Sequence, residues 1–273
     1  AVNSGGKKSF MDKVKQRKRL FLYECRQTVI SKSYQFLIPA LVALQGCFVS
    51  LNIWKEELTV SVLYSNFLEG MQQSEGMLSG AERFLIPGDW CVFVFFFLYI
   101  IGRDAKNYTS GTGLQLLLRV ERVENIWYVK CFISLMETVL YFGTAYFVIL
   151  LFSIWRYGFS TEVILSEKEF LKQFLIPVMA AWTIAVWQMV ISMKTNTIAG
   201  LIVMVVLVVS SAYAEKWYLI GNYLMKLRVT ALIDSGFSCR KILIFLIILS
   251  VIGILVGKLL IGQMDYLRVK GDL

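Results

Sequence analysis

The sequence predicts an all-α membrane protein with six transmembrane helices. Hydrophobic residues make up 57% of the 273 residues, and the mean hydropathy of +0.64 excludes an ordinary soluble domain. Six apolar runs are each about 20 residues long, the length that an α-helix needs to cross a bilayer. Their composition and length favour helices over barrel strands. The predicted spans are Phe36–Trp54, Phe84–Ile101, Lys130–Trp155, Phe174–Met193, Thr197–Tyr213 and Ile242–Gly262.

We interpret residues 1–273 as a single transmembrane domain in three parts. Residues 1–35 form a basic amphipathic segment, 36–262 the six-helix membrane domain, and 263–273 a short cytoplasmic tail. In the first part, Lys and Arg far outnumber acidic residues and alternate with apolar ones, as in a helix that lies on an anionic inner leaflet. A nucleic-acid interface is disfavoured because a hydrophobic span follows immediately.

The distribution of charge predicts that both termini are cytoplasmic. With six spans, most of the 28 Lys and Arg residues fall in the inside segments 1–35, 102–130, 194–196 and 263–273. The segment 214–241 is predicted to lie outside although it is basic. Two placements therefore stay open for it: short re-entrant extracellular helices before the sixth span, or a cytoplasmic loop.

A polar segment between the second and third spans, Gly102–Lys130, carries the strongest functional signal. Its first half, Arg103–Gly113, is rich in Asn, Ser and Gly, which predicts an interruption of the helix. Its second half recovers a helical period, with one apolar face formed by Leu116, Val120, Val123 and Trp127. An amphipathic helix entered through a Gly-Thr-Gly turn suits the transmission of force from a cytoplasmic partner. An ordinary interfacial loop is the alternative.

The order of residues from Tyr108 to Lys130 resembles the region after the second span of type-2 ABC export permeases. Members of that family carry an acidic residue shortly before a Gly-Thr pair, then a Leu-rich helix, then a Lys that leads into the third span. Here Tyr108 stands near the acidic position, and Asp104 is the nearest acid upstream. The resemblance implies that a separate ATPase docks on a coupling element formed by Asp104, Tyr108, Gly111, Thr112, Leu114, Leu117, Leu118, Arg119 and Arg122.

The same resemblance implies a permease subunit in the bacterial plasma membrane. Two permease copies or homologues would surround the pathway, ATP and Mg²⁺ would be bound by the partner ATPase subunits, and membrane lipids would contact the spans. The exported substrate would be a peptide, an antimicrobial compound, a lipid or a similar amphiphile. Two alternatives remain: a non-transporting scaffold or sensor subunit, and a secondary transporter, for which more mid-membrane polar groups and internal repeats are expected.

Enzyme chemistry is not expected in this chain. There is no histidine, and the five cysteines form no CxxC pair, which removes most transition-metal and nucleophile–His schemes. The segment Gly253–Leu259 is one residue short of a phosphate-binding loop, lacks the Ser or Thr, and falls within a span. We therefore expect no catalytic residue, cofactor or metal here. The spacing of Gly253 and Gly257 predicts close helix packing instead.

Two ionisable residues fall within predicted spans, Glu137 in the third and Lys258 in the sixth. Both lie at comparable depth in the inner leaflet, so they are able to pair, or Lys258 reaches the interface alone. Four tryptophans at the predicted outer ends of the spans are interpreted as membrane anchors: Trp54, Trp90, Trp155 and Trp217.

Overall fold

The computed structural model describes residues 21–53, 60–70, 88–109, 123–157 and 170–263. Most of these residues are helical, and no β-strand occurs among them. The longer helices are labelled α1 to α8 in chain order: Leu37–Ile53, Val60–Phe67, Gly88–Thr109, Val123–Tyr157, Ile176–Lys194, Thr197–Tyr213, Lys226–Asp234 and Cys239–Gln263. Shorter helical turns occur at Arg26–Ile30, Ser33–Phe36, Leu171–Leu175 and Ile220–Leu224.

Each of the six predicted spans overlaps one of these helices, namely α1, α3, α4, α5, α6 and α8. Four helical stretches are long and apolar enough to cross a membrane: Ser33–Leu51, Glu124–Arg156, Leu171–Lys194 and Cys239–Gln263. Helix α6 is shorter, with 17 residues, and α3 carries charged residues near both ends. The all-helical class is confirmed for the described residues, and four of their helices are long and apolar enough to span a membrane, whereas the number of six spans stays a prediction.

Helix α5 lies at the centre of the bundle and contacts α3, α4, α6 and α8. Small side chains at Ala180, Ala181 and Ala185 are buried and let neighbouring helices approach closely. Its polar residues also point inward: the hydroxyls of Thr183 and Ser250 of α8 lie 2.8 Å apart, and the Gln188 amide donates to the Leu98 carbonyl at 2.8 Å. The hydroxyls of Thr183 and Ser250 and the NH2 group of Gln188 thus form hydrogen bonds between helices inside the bundle.

The outward faces of the helices are apolar. On α8, a row of exposed side chains recurs every three to four residues: Ile244, Ile248, Val251, Leu255 and Leu259. Helix α6 presents a similar face through Ile198, Ile202, Val206 and Val209. Soluble monomers rarely expose continuous apolar surfaces of this kind. A bilayer stabilises such an apolar exterior, while the polar side chains of the bundle lie in a largely apolar interior.

The glycines of α8 permit the close packing that their spacing predicts. A Cβ atom on Gly253 would lie 2.8 Å from a side-chain carbon of Val186 on α5. On Gly257 it would overlap the indole ring of Trp127 on α4. The small-residue stripe thus joins α8 to two helices of the same chain.

A tight hairpin joins α5 to α6. The side chain of Asn196 accepts a hydrogen bond from the Ala199 backbone at 2.7 Å, which caps the first turn of α6. The C-terminus of α5 and the N-terminus of α6 therefore lie at the same end of the bundle. The N-terminus of α4 lies at this end too, and we call it the α4 end. The opposite end carries the folded cap described below, and we call it the cap end.

Candidate functional site

Much of the coupling element lies outside the described residues. This applies to Gly111, Thr112, Leu114, Leu117, Leu118, Arg119 and Arg122. Asp104 and Tyr108 belong to α3, which continues to Thr109. The expected interruption from Arg103 onward is therefore wrong over residues 103–109. The reason is local: no Gly or Pro occurs between Arg103 and Thr109, and extending an existing helix costs less than nucleating a new one.

Trp127 belongs to the apolar face that was predicted to contact a partner, but it packs inside this chain. This side chain is fully buried, and its indole N–H donates to the Ile254 carbonyl of α8 at 2.8 Å. Helix α4 begins at Val123, so Trp127 belongs to the first turns of the long helix and not to a separate docking helix. The prediction that Trp127 extends the docking face is corrected accordingly.

A buried ion pair joins the N-terminal helical segment to the start of α4. The Lys130 ammonium contacts the carboxylate of Glu24, and both side chains are about one-tenth exposed or less. Arg103 of α3 donates to the Gln35 side chain at 2.7 Å and to the Tyr34 hydroxyl at 3.2 Å. Residues 24–35 are thus attached to both helices that flank the coupling element.

Lys258 pairs with Glu124 at 3.4 Å, and Glu137 is not its partner. Both members of this pair are partly exposed, at 37% and 46% for their side chains. Glu137 is buried and lines a small cavity with Lys130, Thr28 and other residues of α3, α4 and α5. The two intramembrane charges of the sequence therefore belong to separate local environments at the α4 end.

A folded cap covers the opposite end of the bundle. It consists of α2, its continuation to Gly70, the turn Ile220–Leu224 and α7. Backbone hydrogen bonds join its two parts, from the Lys226 amide to the Leu68 carbonyl at 2.8 Å and from the Leu227 amide to the Glu69 carbonyl at 3.2 Å. Segment 214–241 therefore lies beside the end of α2, at the end of the bundle opposite the C-terminus of α3.

Arg228 is buried at the centre of this cap. Its guanidinium donates to the Ala212 carbonyl in the last turn of α6 at 2.7 Å and to the Glu215 carboxylate at 3.5 Å. Burial lowers the pKa of Arg228, and the neighbouring Glu215 opposes that shift. Burial also raises the pKa of Tyr223 to about 12, and its hydroxyl donates to the Trp217 carbonyl. Arg228 therefore has a structural role, because it satisfies a backbone carbonyl at the C-terminal end of α6.

We expect Arg228→Met to destabilise the cap, since the Ala212 carbonyl loses its charged donor. An unsatisfied buried group costs about 1–3 kcal/mol. Thermal unfolding of the detergent-solubilised protein measures this, with Arg240→Met as the control because Arg240 is exposed and lies outside the cap. Equal melting temperatures for the two variants would contradict the role of Arg228.

Trp90 is not a membrane anchor. Its side chain is 3% exposed, and its indole N–H donates to the Leu224 carbonyl at 3.0 Å, so it joins α3 to the cap. Trp155 and Trp217 are exposed, as anchors require, and Trp54 lies outside the described residues. The residue's position at a helix end was read correctly from the sequence, but its side chain faces inward.

Sequence reasoning missed the ion pair of Glu24 and the burial of Arg228. A signal existed for the first: Glu24 is one of few acids in a basic segment, and it lies one helical turn before Thr28, which is also buried. No comparable signal marked Arg228 among the other cations of its segment. Comparison with protein-family models, curated proteins and solved structures finds no match for this chain.

Proposed function

We propose that this chain is the membrane subunit of an ATP-driven ABC exporter of the type-2 kind. One observation carries the proposal: the chain between α6 and α8 folds into the turn Ile220–Leu224 and α7, at the end of the bundle opposite the C-terminus of α3 and the start of α4. The family resemblance implies this arrangement, with a coupling element on the cytoplasmic side and short re-entrant helices outside before the last span. ATP and Mg²⁺ would be bound by separate ATPase subunits.

In the proposed mechanism, the coupling element transmits movement of the ATPase to the membrane helices. Movement of a docked ATPase would act on α3 and α4, whose ends flank the element, and on residues 24–35, which are bonded to both helices. Two permease copies or homologues would form the pathway in the bacterial plasma membrane. The cargo would be a peptide, an antimicrobial compound, a lipid or a similar amphiphile.

We expect Leu117→Asp to release the partner ATPase or to uncouple ATP hydrolysis from transport. Helix-in-groove binding concentrates its energy in a few apolar anchors, and a truncated or charged anchor typically costs about 2 kcal/mol or more. Co-purification of a candidate ATPase measures binding, and ATPase and export rates in reconstituted vesicles measure coupling.

Arg122→Ala is the matched control, since a charge at the rim of such a groove contributes little. It should retain the partner and at least half of the transport rate. A Leu117→Asp protein that keeps its partner and transports normally would reject this coupling element. A chain that binds no ATPase at all would favour the scaffold or secondary-transporter alternative.

The proposal also predicts the orientation of the chain in the membrane. In a cysteine-free version, Asp234→Cys at the cap end should react with a membrane-impermeant maleimide added to intact cells, and Lys194→Cys should react only after lysis. Both side chains are exposed, so accessibility within the fold does not limit either reaction. Cysteines at Ser110 and Gly271 should behave like Lys194→Cys. The reverse pattern would exclude cytoplasmic termini.

A further inference from the structure

A cavity of about 330 Å³ opens at the cap end between α1, the end of α2 and the start of α3. This volume is at the lower limit of small-ligand sites in proteins. Its wall contains two acidic side chains, Glu69 and Asp89, the rings of Phe67 and Trp90, and the hydroxyl-bearing Ser50. No Lys or Arg occurs among the described residues that line it.

The acidic side chains of the cavity have no cationic partner among the described residues. Asp89 accepts a hydrogen bond from the neutral amide of Gln45 at 3.2 Å, and the Glu69 side chain, which is exposed, forms no ion pair there. Carboxylates that lack a counter-charge favour a bound cation. The described residues of the cavity therefore present two carboxylates beside apolar walls.

The polar wall of the cavity also holds an unused hydrogen-bonding group. Ser50 is only 6% exposed, lines the cavity, and makes no side-chain hydrogen bond with any residue that the structure describes. A hydroxyl on a helix commonly satisfies itself on the preceding turn, as Thr183 does on Met179. The Ser50 hydroxyl instead remains available to a molecule in the cavity.

The aromatic wall is rigid. The indole of Trp90 is held by its bond to Leu224, and the ring of Phe67 packs edge-on against Phe93 with centroids 4.9 Å apart. Fixed aromatic rings beside carboxylates are suited to an organic cation, because a ring face attracts an ammonium or guanidinium group while its carbon atoms contact the apolar body.

We infer that this cavity binds the cationic head of an amphiphile, an organic ammonium group, between Glu69 and Asp89. Two sources supply that chemistry: a cationic molecule handled by the protein, and the ammonium headgroup of a membrane lipid. The inference goes beyond the proposed function, since binding to the cavity needs no ATPase. Both can therefore be tested, and can fail, separately.

The test uses choline and its uncharged isostere 3,3-dimethylbutan-1-ol, titrated into the full-length protein in an uncharged maltoside detergent and followed by saturation-transfer NMR. Choline should bind, and the isostere should bind about tenfold more weakly, the factor expected when a cation that contacts aromatic rings is replaced by a neutral group. Asp89→Asn and Glu69→Gln should each weaken choline binding by about tenfold. Asp234→Asn, an equal change of charge elsewhere at the cap end, should leave binding within about twofold.

Native mass spectrometry of protein extracted from membranes rich in phosphatidylethanolamine separates the two sources. A lipid that stays bound to the wild type and is lost from Asp89→Asn identifies the headgroup as the ligand, and choline binding without retained lipid identifies a free amphiphile. Equal binding of choline and its isostere would overturn the inference, as would choline binding unaffected by both carboxylate changes. If Asp89→Asn misfolds, Glu69→Gln still decides the test, because the Glu69 side chain is exposed and this variant is expected to fold.

Discussion

Gly257→Val is expected to prevent the correct assembly of the bundle. A Cβ atom at this position would lie 2.7 Å from Cη2 of Trp127 and closer still to two other atoms of the same ring. The ring has little freedom to move, because it is fully buried and its N–H is bonded to the Ile254 carbonyl. Overpacking typically costs about 1–3 kcal/mol and occasionally more. With a clash against a fixed ring, we expect about 3 kcal/mol or more.

Gly262→Val provides the matched control on the same helix. A Cβ atom at Gly262 has no neighbour within 4 Å, so this variant should unfold within a few degrees of the wild type. Heating followed by size-exclusion chromatography in detergent measures both variants. A smaller residue at position 127, as in Gly257→Val/Trp127→Leu, should restore part of the monodisperse peak. A Gly257→Val protein as stable as the Gly262→Val protein would show that α8 does not pack on Trp127.

Loss of one partner from the Glu24–Lys130 pair is the second large effect that we expect. Both side chains are buried, so Lys130→Met leaves the Glu24 carboxylate without its counter-ion in a low dielectric, and Glu24→Gln removes an acidic partner of Lys130. Breaking a buried pair in this way costs about 3–5 kcal/mol. The double variant should be less destabilised than the sum of the two single variants, and a double-mutant cycle on the free energy of unfolding measures the difference.

The Glu124–Lys258 pair is the internal comparison, since its side chains are partly exposed. Pairs of this kind contribute about 0–1 kcal/mol, so Glu124→Gln should have a small effect. Additive losses for Glu24→Gln and Lys130→Met would mean that the N-terminal segment is not held to α4 by this pair. A large effect of Glu124→Gln would instead assign the dominant charge contact to α8.

The approximate positions of the main helices follow from the sequence, although α3 ends at Thr109 and not at Ile101, and α4 begins at Val123 and not at Lys130. Thr197–Tyr213 was predicted with the bounds that α6 has, and Leu37–Ile53 falls within one residue of its prediction at each end. Apolar run length determines these elements, because a helix satisfies its own backbone wherever water is excluded. The spacing of Gly253 and Gly257 likewise predicted that α8 packs closely against other helices. The prediction that the helix is interrupted after Arg103 is wrong, because weak turn propensities do not stop a helix that is already formed.

Only the tertiary structure decided which side chains meet. Hydropathy placed Glu137 and Lys258 at similar depth, but rotation of the helices about their axes brings Lys258 to Glu124. Depth is a property of one helix and is readable from its sequence, whereas the direction of a side chain depends on how neighbouring helices pack. For the same reason Trp90 of α3 faces the cap, and only the structure shows that Lys226 and Leu227 of segment 214–241 bond to Leu68 and Glu69 at the end of α2.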